Sequence, residues 1–299
     1  MLIDTHAHLN FNAYQRDVGE VIRRSLNNGV WMINVGTQYD TSKKAIEIAQ
    51  EYPQGVYAAV GLHPSHLETG LIKMKNDKKE IEEETNEECF DREKYKELAK
   101  SDKVVAIGEF GLDYYYRPKT AGEKELFKQK QKEVLLKHLD LVQELNLPAI
   151  FHCRSAHDDL INILDIRYKI ENAKIKGVIH CFTGNWEQAE KYMKMGFYLG
   201  FNGIIFKLNL DEIIKKTPLD KILIETDCPY LTPLPAVASA EADATSLTRN
   251  EPSYVKYVAE KIALIRKSSF EEVAETTAQN AQKLFEISPL KKTIEIKKP

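Results

Sequence analysis

With 299 residues, 43% hydrophobic side chains and a formal net charge of -3, the chain can fill one large core but lacks the broad basic field of a protein that coats nucleic acid. No apolar run approaches the length needed to span a bilayer, and no basic and apolar leader precedes the first strand, so a cytoplasmic protein is expected. Four scattered cysteines, Cys89, Cys153, Cys181 and Cys228, do not make a disulfide framework.

The chain opens on a strand over 2–6, and further short β-branched or apolar runs follow at 31–35, 56–61, 104–109, 148–152, 177–181, 197–201 and 221–226. Segments of helical periodicity separate them, for example 21–26, 45–49 and the long stretch 122–146 with Leu126, Leu135, Leu139, Val142 and Leu145. Eight strands alternating with helix-sized segments predict a (β/α)8 TIM barrel. An open doubly wound sheet is the alternative, but it gives ligands on strands one, four, five, six and eight no reason to converge.

Two segments depart from this alternation. Residues 73–96, KMKNDKKEIEEETNEECFDREKYK, are nearly all charged and of mixed sign, and predict a solvated loop or exposed helix within an insertion over about 71–97. The stretch TPLPAVASAEADATSLTRNEP predicts a long loop over the barrel mouth, about 232–250. The rest of 1–288 forms one domain in this reading, and 289–299 is a loosely attached tail.

Polar residues recur at the ends of the strand candidates. In LIDTHAH, His6 and His8 lie two apart, so both reach one side of the strand and can share one cation; imidazole suits Zn, Mn, Fe, Co or Ni. Glu109 ends VVAIGE, His152 ends PAIFH, His180 ends GVIH and Asp227 ends KILIETD. A carboxylate such as Glu109 can bridge two cations, two imidazoles serve the second, and Asp227 returns a carboxylate to the first. Six metal-capable side chains around the C-terminal mouth of a barrel predict a two-metal hydrolytic site. Asp227, with one oxygen free to accept a proton, is the expected general base. No GxSxG elbow occurs, which disfavours a nucleophilic serine. Cys153, Cys181 and Cys228 each follow a ligand candidate and are expected to point away from it, as buried apolar residues.

The segments DTHAHLNF, GLHPSH, VVAIGEFGLDYYY, LPAIFHCRSAHDDL, GVIHCFTGN, GFYLGFNGIIFK, KILIETDCPYLTP, RNEP and TTAQNAQKLF resemble, in order and over nearly the whole chain, the TatD family of metal-dependent hydrolases. The resemblance implies a distorted barrel of the amidohydrolase type, two divalent cations (Mg, Mn or Zn), and cytoplasmic cleavage of DNA, often 3′ to 5′ on single strands. Carried over by position, His6, His8, Glu109 and Asp227 would hold one cation, and Glu109, His152 and His180 the other. Glu109 stands where related amidohydrolases carry a carboxylated lysine, which favours this family. The chain departs from the family in the longer charged insertion and in the swollen loop before RNEP, where relatives usually have a short basic stretch.

His63 in GLHP is expected to contact a phosphate or leaving group, and Arg154 to offer its planar fork to a phosphate. Tyr114, Tyr115 and Tyr116 are expected to pack their loop more than to stack on bases. His66, His138 and His157 have no partner in the pattern and stay outside the expected site. A catalytic chain acting as a monomer on single-stranded DNA is the primary reading. Metal-dependent hydrolysis of a small ester, lactone or acyl-nucleotide conjugate is the second. A barrel retained only as a binding scaffold is the third, and the intact ligand set opposes it.

Overall fold

Runs of Val, Ile, Leu and Ala that are buried on both faces need helices to cover them, which is the environment of a parallel sheet. A computed structural model describes residues 1–71, 77–80, 87–116, 118–170, 174–233 and 249–288. Eight strands form one parallel sheet in sequence order: β1 (Leu2–Ala7), β2 (Val30–Val35), β3 (Val56–Val60), β4 (Val104–Asp113), β5 (Ala149–Arg154), β6 (Gly177–Ile179), β7 (Tyr198–Phe201) and β8 (Ile222–Ile224). The ring closes where Ala7 bridges Cys228, with Asp227 N donating to His6 O at 2.8 Å and His8 N to Cys228 O at 3.0 Å. The expected barrel is therefore present.

The helices among the described residues are α1 (Val18–Asn27), α2 (Tyr39–Gln50), α3 (Arg92–Leu98), α4 (Ala121–Leu145), α5 (His157–Ile170), α6 (Trp186–Lys194), α7 (Asp211–Lys216), α8 (Val255–Arg266) and α9 (Phe270–Phe285). Local chemistry marks their ends. Thr120 and Glu123 form a capping box at the start of α4, and Asn146 stops it with φ 51°. Asn185 and Gln188 do the same at the start of α6.

Strand alternation divides the core. Ile33, Ala59, Ile150, Val178 and Leu223 form one buried cluster with Ala281 and Phe285 of α9, and Ile150, Val178 and Leu223 each stand two residues before His152, His180 and Glu225, on the same side of the chain. Phe151, Ile179 and Ile224, one residue out of phase, belong to the larger cluster packed under the helices. A residue displaced by one position would leave the site for the outer core.

Boundaries differ from the sequence expectation most at β4. Glu109 does not end this strand. After a register shift beyond Ile107, β4 continues to pair with β5 through Gly111 opposite His152 and Asp113 opposite Arg154, which brings a second carboxylate to the mouth. Of the two forms expected for the charged insertion, an exposed helix is present at its C-terminal end, but the described part before it is not a solvated loop. Its backbone accepts from Asn12 N at Glu80 and from Ala13 N at Lys79, Glu88 bridges Leu67, and 92–98 is α3. Most of the expected mouth loop, 234–248, and the tail 289–299 lie outside the described residues. Among the described residues no helix is long and apolar enough to cross a membrane.

Candidate metal centre

The six ligand candidates converge at the C-terminal end of the barrel. His6 Nε2 lies 3.1 Å from His8 Nε2 and 3.3 Å from Glu109 Oε2. His8 Nε2 is 3.3 Å from Asp227 Oδ1. His180 Nε2 is 3.9 Å from Glu109 Oε1 and 3.8 Å from Asp227 Oδ1, and His152 Nδ1 is 2.6 Å from Glu109 Oε1. Donors around a four-coordinate cation at about 2.0–2.2 Å sit roughly 3.3–3.6 Å apart; the spacings among His6, His8, Glu109 and Asp227 lie near this range, whereas His152 and Glu109 are in direct hydrogen-bonding contact. Three groups have ligand atoms within 4.8 Å of one another: His6, Glu109 and His180; His6, His8 and Asp227; His63, Glu109 and His152.

Neighbouring acceptors orient the rings, as metal-ligating histidines require. His8 Nδ1 is 2.8 Å from Val35 O, and a carbonyl only accepts, so the proton is on Nδ1 and Nε2 keeps its lone pair. His180 Nδ1 is 2.9 Å from Glu225 Oε1, close enough for ion pairing though off the hydrogen-bonding direction. Glu225 Oε1 also accepts from Cys181 N at 2.6 Å. Gly200 leaves room for this carboxylate, because a Cβ there would stand 2.5 Å from Glu225 Oε2. His152 Nε2 faces Asp113 Oδ2 at 3.3 Å. Asp4 accepts from Thr226 N at 2.8 Å and Thr226 Oγ1 at 2.5 Å, pinning β1 to the β8 end.

Burial opposes charge on all six ligand candidates, and neighbours outweigh it for each of them except His6. Against burial, Asp113 and Glu109 push His152 up to about 9, and Glu225, Glu109 and Asp227 push His180 up to about 10. Glu109 is held well below the usual carboxylate range because His63, His6 and His180 outweigh burial. Asp227 is lowered in the same way by His180, His8 and His6. For His6 burial wins, with His180 adding to it, and its pKa falls. The cluster is thus a set of charge-coupled side chains in which a cation would take the place of protons.

A cleft of about 900 Å³ opens over this cluster, within the range of small-molecule sites. His63 and Arg154 both line it, as the sequence suggests. The Arg154 guanidinium lies 3.7 Å from the centroid of the Tyr115 ring, so the two make a stacked pair at the rim. Tyr115 and Tyr116 are exposed, whereas Tyr114 is buried and donates to Asp159 Oδ2 at 2.9 Å. Packing of the loop thus describes Tyr114 and not its neighbours.

Several residues left out of the expected site line the cleft: His66, His157, Asp77, Glu80 and Asp113. Cys181 lines it too, contrary to the outward orientation expected, because its φ of 45° breaks strand alternation. Cys153 also borders the cleft, although it is buried with its thiol toward Tyr192, and Cys228 is buried as expected. His138 is a buried structural residue, stacked on Phe110 and accepting from Leu62 N at 3.2 Å. Asp113 and Glu225 carried a signal, since each stands in a segment already marked by a ligand: four residues after Glu109 and two before Asp227. Glu80 carried none, standing in a charge-rich run where every residue looks solvated.

The TatD related DNase family model matches residues 3–286. The uncharacterized metal-dependent hydrolase YabD of Bacillus subtilis is 42% identical over 293 residues, covering 96% of this chain and 100% of that protein. The 3′-5′ ssDNA/RNA exonuclease TatD of Escherichia fergusonii is 30% identical over 293 residues, with 96% and 100% covered. Among solved structures, the TatD homolog YJJV of Escherichia coli K12 superposes with a TM-score of 0.75 at 26% identity, covering 96% of this chain and 98% of that one.

Proposed function

Because the chain belongs to the TatD related DNase family and so is a metal-dependent hydrolase, we propose that it cleaves phosphodiester bonds of single-stranded DNA from the 3′ end, using two divalent cations held by His6, His8, Glu109, His152, His180 and Asp227. The observation that carries this reading is the convergence of all six side chains beneath one open cleft. The name of the Escherichia fergusonii relative supports the substrate class.

Two cations bound together activate a water at neutral pH and neutralise charge on the leaving oxygen. Glu109 is buried and belongs to two of the metal-capable groups, so its carboxylate would serve as a ligand in both. Asp227 is the base: its side chain is 17% exposed where the Glu109 side chain is 4% exposed, so an oxygen remains within reach of the cleft. Its lowered pKa keeps it a carboxylate, ready to accept the water proton. Arg154 at the rim places a fixed positive charge on the substrate's path.

One observation favours the second reading. Among the described residues that line the cleft, Arg154 is the only Lys or Arg, while Asp77 and Glu80 line it with carboxylates. A long phosphate backbone would meet repulsion there, and a small ester, lactone or acyl-nucleotide conjugate would not. Incubating the Mg- or Mn-loaded enzyme with a 5′-labelled single-stranded oligonucleotide tests the choice. Shortening from the 3′ end, abolished by chelator, supports the nuclease; an intact oligonucleotide alongside metal-dependent hydrolysis of a small ester overturns it.

A further inference from the structure

His8 and His63 both approach the carboxylates of the metal centre, yet they use their ring nitrogens in opposite ways. His8 Nδ1 gives its proton to Val35 O and leaves Nε2 free to bind a cation. His63 Nδ1 lies 3.0 Å from the backbone nitrogen of Ser65, a group that only donates. The Ser65 hydroxyl is 2.5 Å from the same atom. Nδ1 of His63 is therefore the unprotonated nitrogen, and in the neutral ring the proton sits on Nε2. That Nε2 is 3.6 Å from Glu109 Oε1, in a side chain that lines the cleft.

We infer that His63 is not a ligand of either cation but a neutral N–H donor to an acceptor oxygen of the substrate, and that Ser65 is the positioning residue that fixes this tautomer. By distance alone His63, Glu109 and His152 form a metal-capable group. Binding a cation at Nε2 would require moving the proton to Nδ1, where it would point at the Ser65 N–H. The turn Pro64–His66 holds the geometry, with His63 N donating to Thr37 O at 2.8 Å and His66 N to His63 O at 3.0 Å. The His63 ring also packs edge-on against His152 at 4.2 Å.

A neutral imidazole is too weak an acid to surrender its remaining proton, so His63 stabilises developing charge by hydrogen bonding and does not protonate the leaving group. The identity of the acceptor, a phosphoryl or leaving-group oxygen, rests on the nuclease reading above. The tautomer and the exclusion of His63 from the ligand set do not.

Three readouts test the inference on the zinc-loaded enzyme. Long-range ¹⁵N–¹H spectra, with His63→Gln for assignment, should show His63 Nε2 protonated and Nδ1 bare, and Ser65→Ala should move the Nδ1 resonance without moving the proton. Metal content should be unchanged in His63→Phe and His63→Gln. On a single-stranded oligonucleotide, kcat should fall about 10²-fold or more in His63→Phe, the scale of losing one oxyanion-type donor, with partial rescue in His63→Gln, whose amide can still donate. A bare Nε2 shifted by zinc, a proton on Nδ1, or loss of about one zinc in both His63 variants would overturn it. If the wild type leaves the oligonucleotide intact, the nuclease reading falls, and the spectra and metal counts still decide the role of His63.

Discussion

Glu80 Oε1 lies 2.8 Å from His66 Nε2 and also accepts from Thr37 Oγ1 at 2.5 Å, so one carboxylate of the charged insertion ties the loops after β2 and β3 together at the cleft. His66 is the last residue of the turn that carries His63. Asp77 makes a parallel tie, accepting from the Tyr230 hydroxyl at 2.7 Å on the β8 side. The insertion thus braces the mouth.

Replacing Glu80 by Ala should cost about 1–3 kcal/mol of stability, because it strands two buried polar partners. It should also lower kcat/KM several-fold by loosening the loop around His63. Burial raises the Glu80 pKa, but His66 and Thr37 outweigh it and the net shift is downward. Its stabilisation is therefore present above the unfolded carboxylate pKa and lost as pH falls through the lower folded value. Urea unfolding at neutral and acid pH, with steady-state kinetics, checks both parts. An unchanged midpoint and unchanged kinetics would return the insertion to a solvated loop.

Cation binding should expel protons. In the cation-free protein His152 stands at about 9 and His180 at about 10, so both are protonated at neutral pH, and loading the site should release about two protons. Apparent affinity then rises with pH until these values are passed. The cation-free fold follows the reverse course: with folded pKa values raised, the stabilisation is full below the unfolded histidine value and is lost as pH rises through 9 to 10. Calorimetric titration with Mn or Zn in buffers of different ionisation enthalpy measures the protons released, and melting in chelator across this range measures the stability. Binding heats independent of buffer would contradict the ligand assignment.

What was legible in the sequence follows from distance along the chain. His6, His8, His152, His180 and Asp227 each close a short apolar run, and the barrel's periodicity alone brings such ends together. Asp113 acts through a histidine on the neighbouring strand and Glu225 through one two strands away, so their roles appear only once Glu225 reaches His180 past Gly200 of β7 and β4 continues past Glu109. Ser65 acts through a backbone N–H that every non-proline residue has, and no residue type advertises that. Arg249 shows the converse. Nothing in RNEP marks its Arg as structural, yet its guanidinium donates to both oxygens of Asp17 at 2.9 and 2.6 Å and to Ala13 O at 2.7 Å, anchoring the chain where the mouth loop returns.

Removing the carboxylates behind the ligands separates orientation from coordination. Glu225→Gln should weaken cation affinity about 10–100-fold, the usual cost of losing a partner that orients a ligating histidine, and should leave the fold intact because the amide oxygen can still accept from Cys181 N. Asp113→Asn should do the same for His152. Competition with a chromogenic chelator gives the affinities. If both variants bind like the wild type, His180 and His152 need no orientation from these carboxylates.

Asp227 is the residue on which the catalytic proposal depends. It meets His8 Nε2 through Oδ1 at 3.3 Å, and its N–H donates to His6 O at 2.8 Å across the barrel seam, so its backbone position is set by the fold and not by the carboxylate. Asp227→Asn should therefore fold and, through the amide oxygen, keep much of its metal. The amide cannot take up a proton near neutral pH. Turnover should fall on the order of 10²–10⁴-fold, the range for loss of a general base, while KM changes little. Elemental analysis and single-turnover cleavage of an oligonucleotide, run on the same preparations, report the two quantities separately. Loss of activity matched by loss of metal would make Asp227 a ligand only, and retained activity with retained metal would require another base.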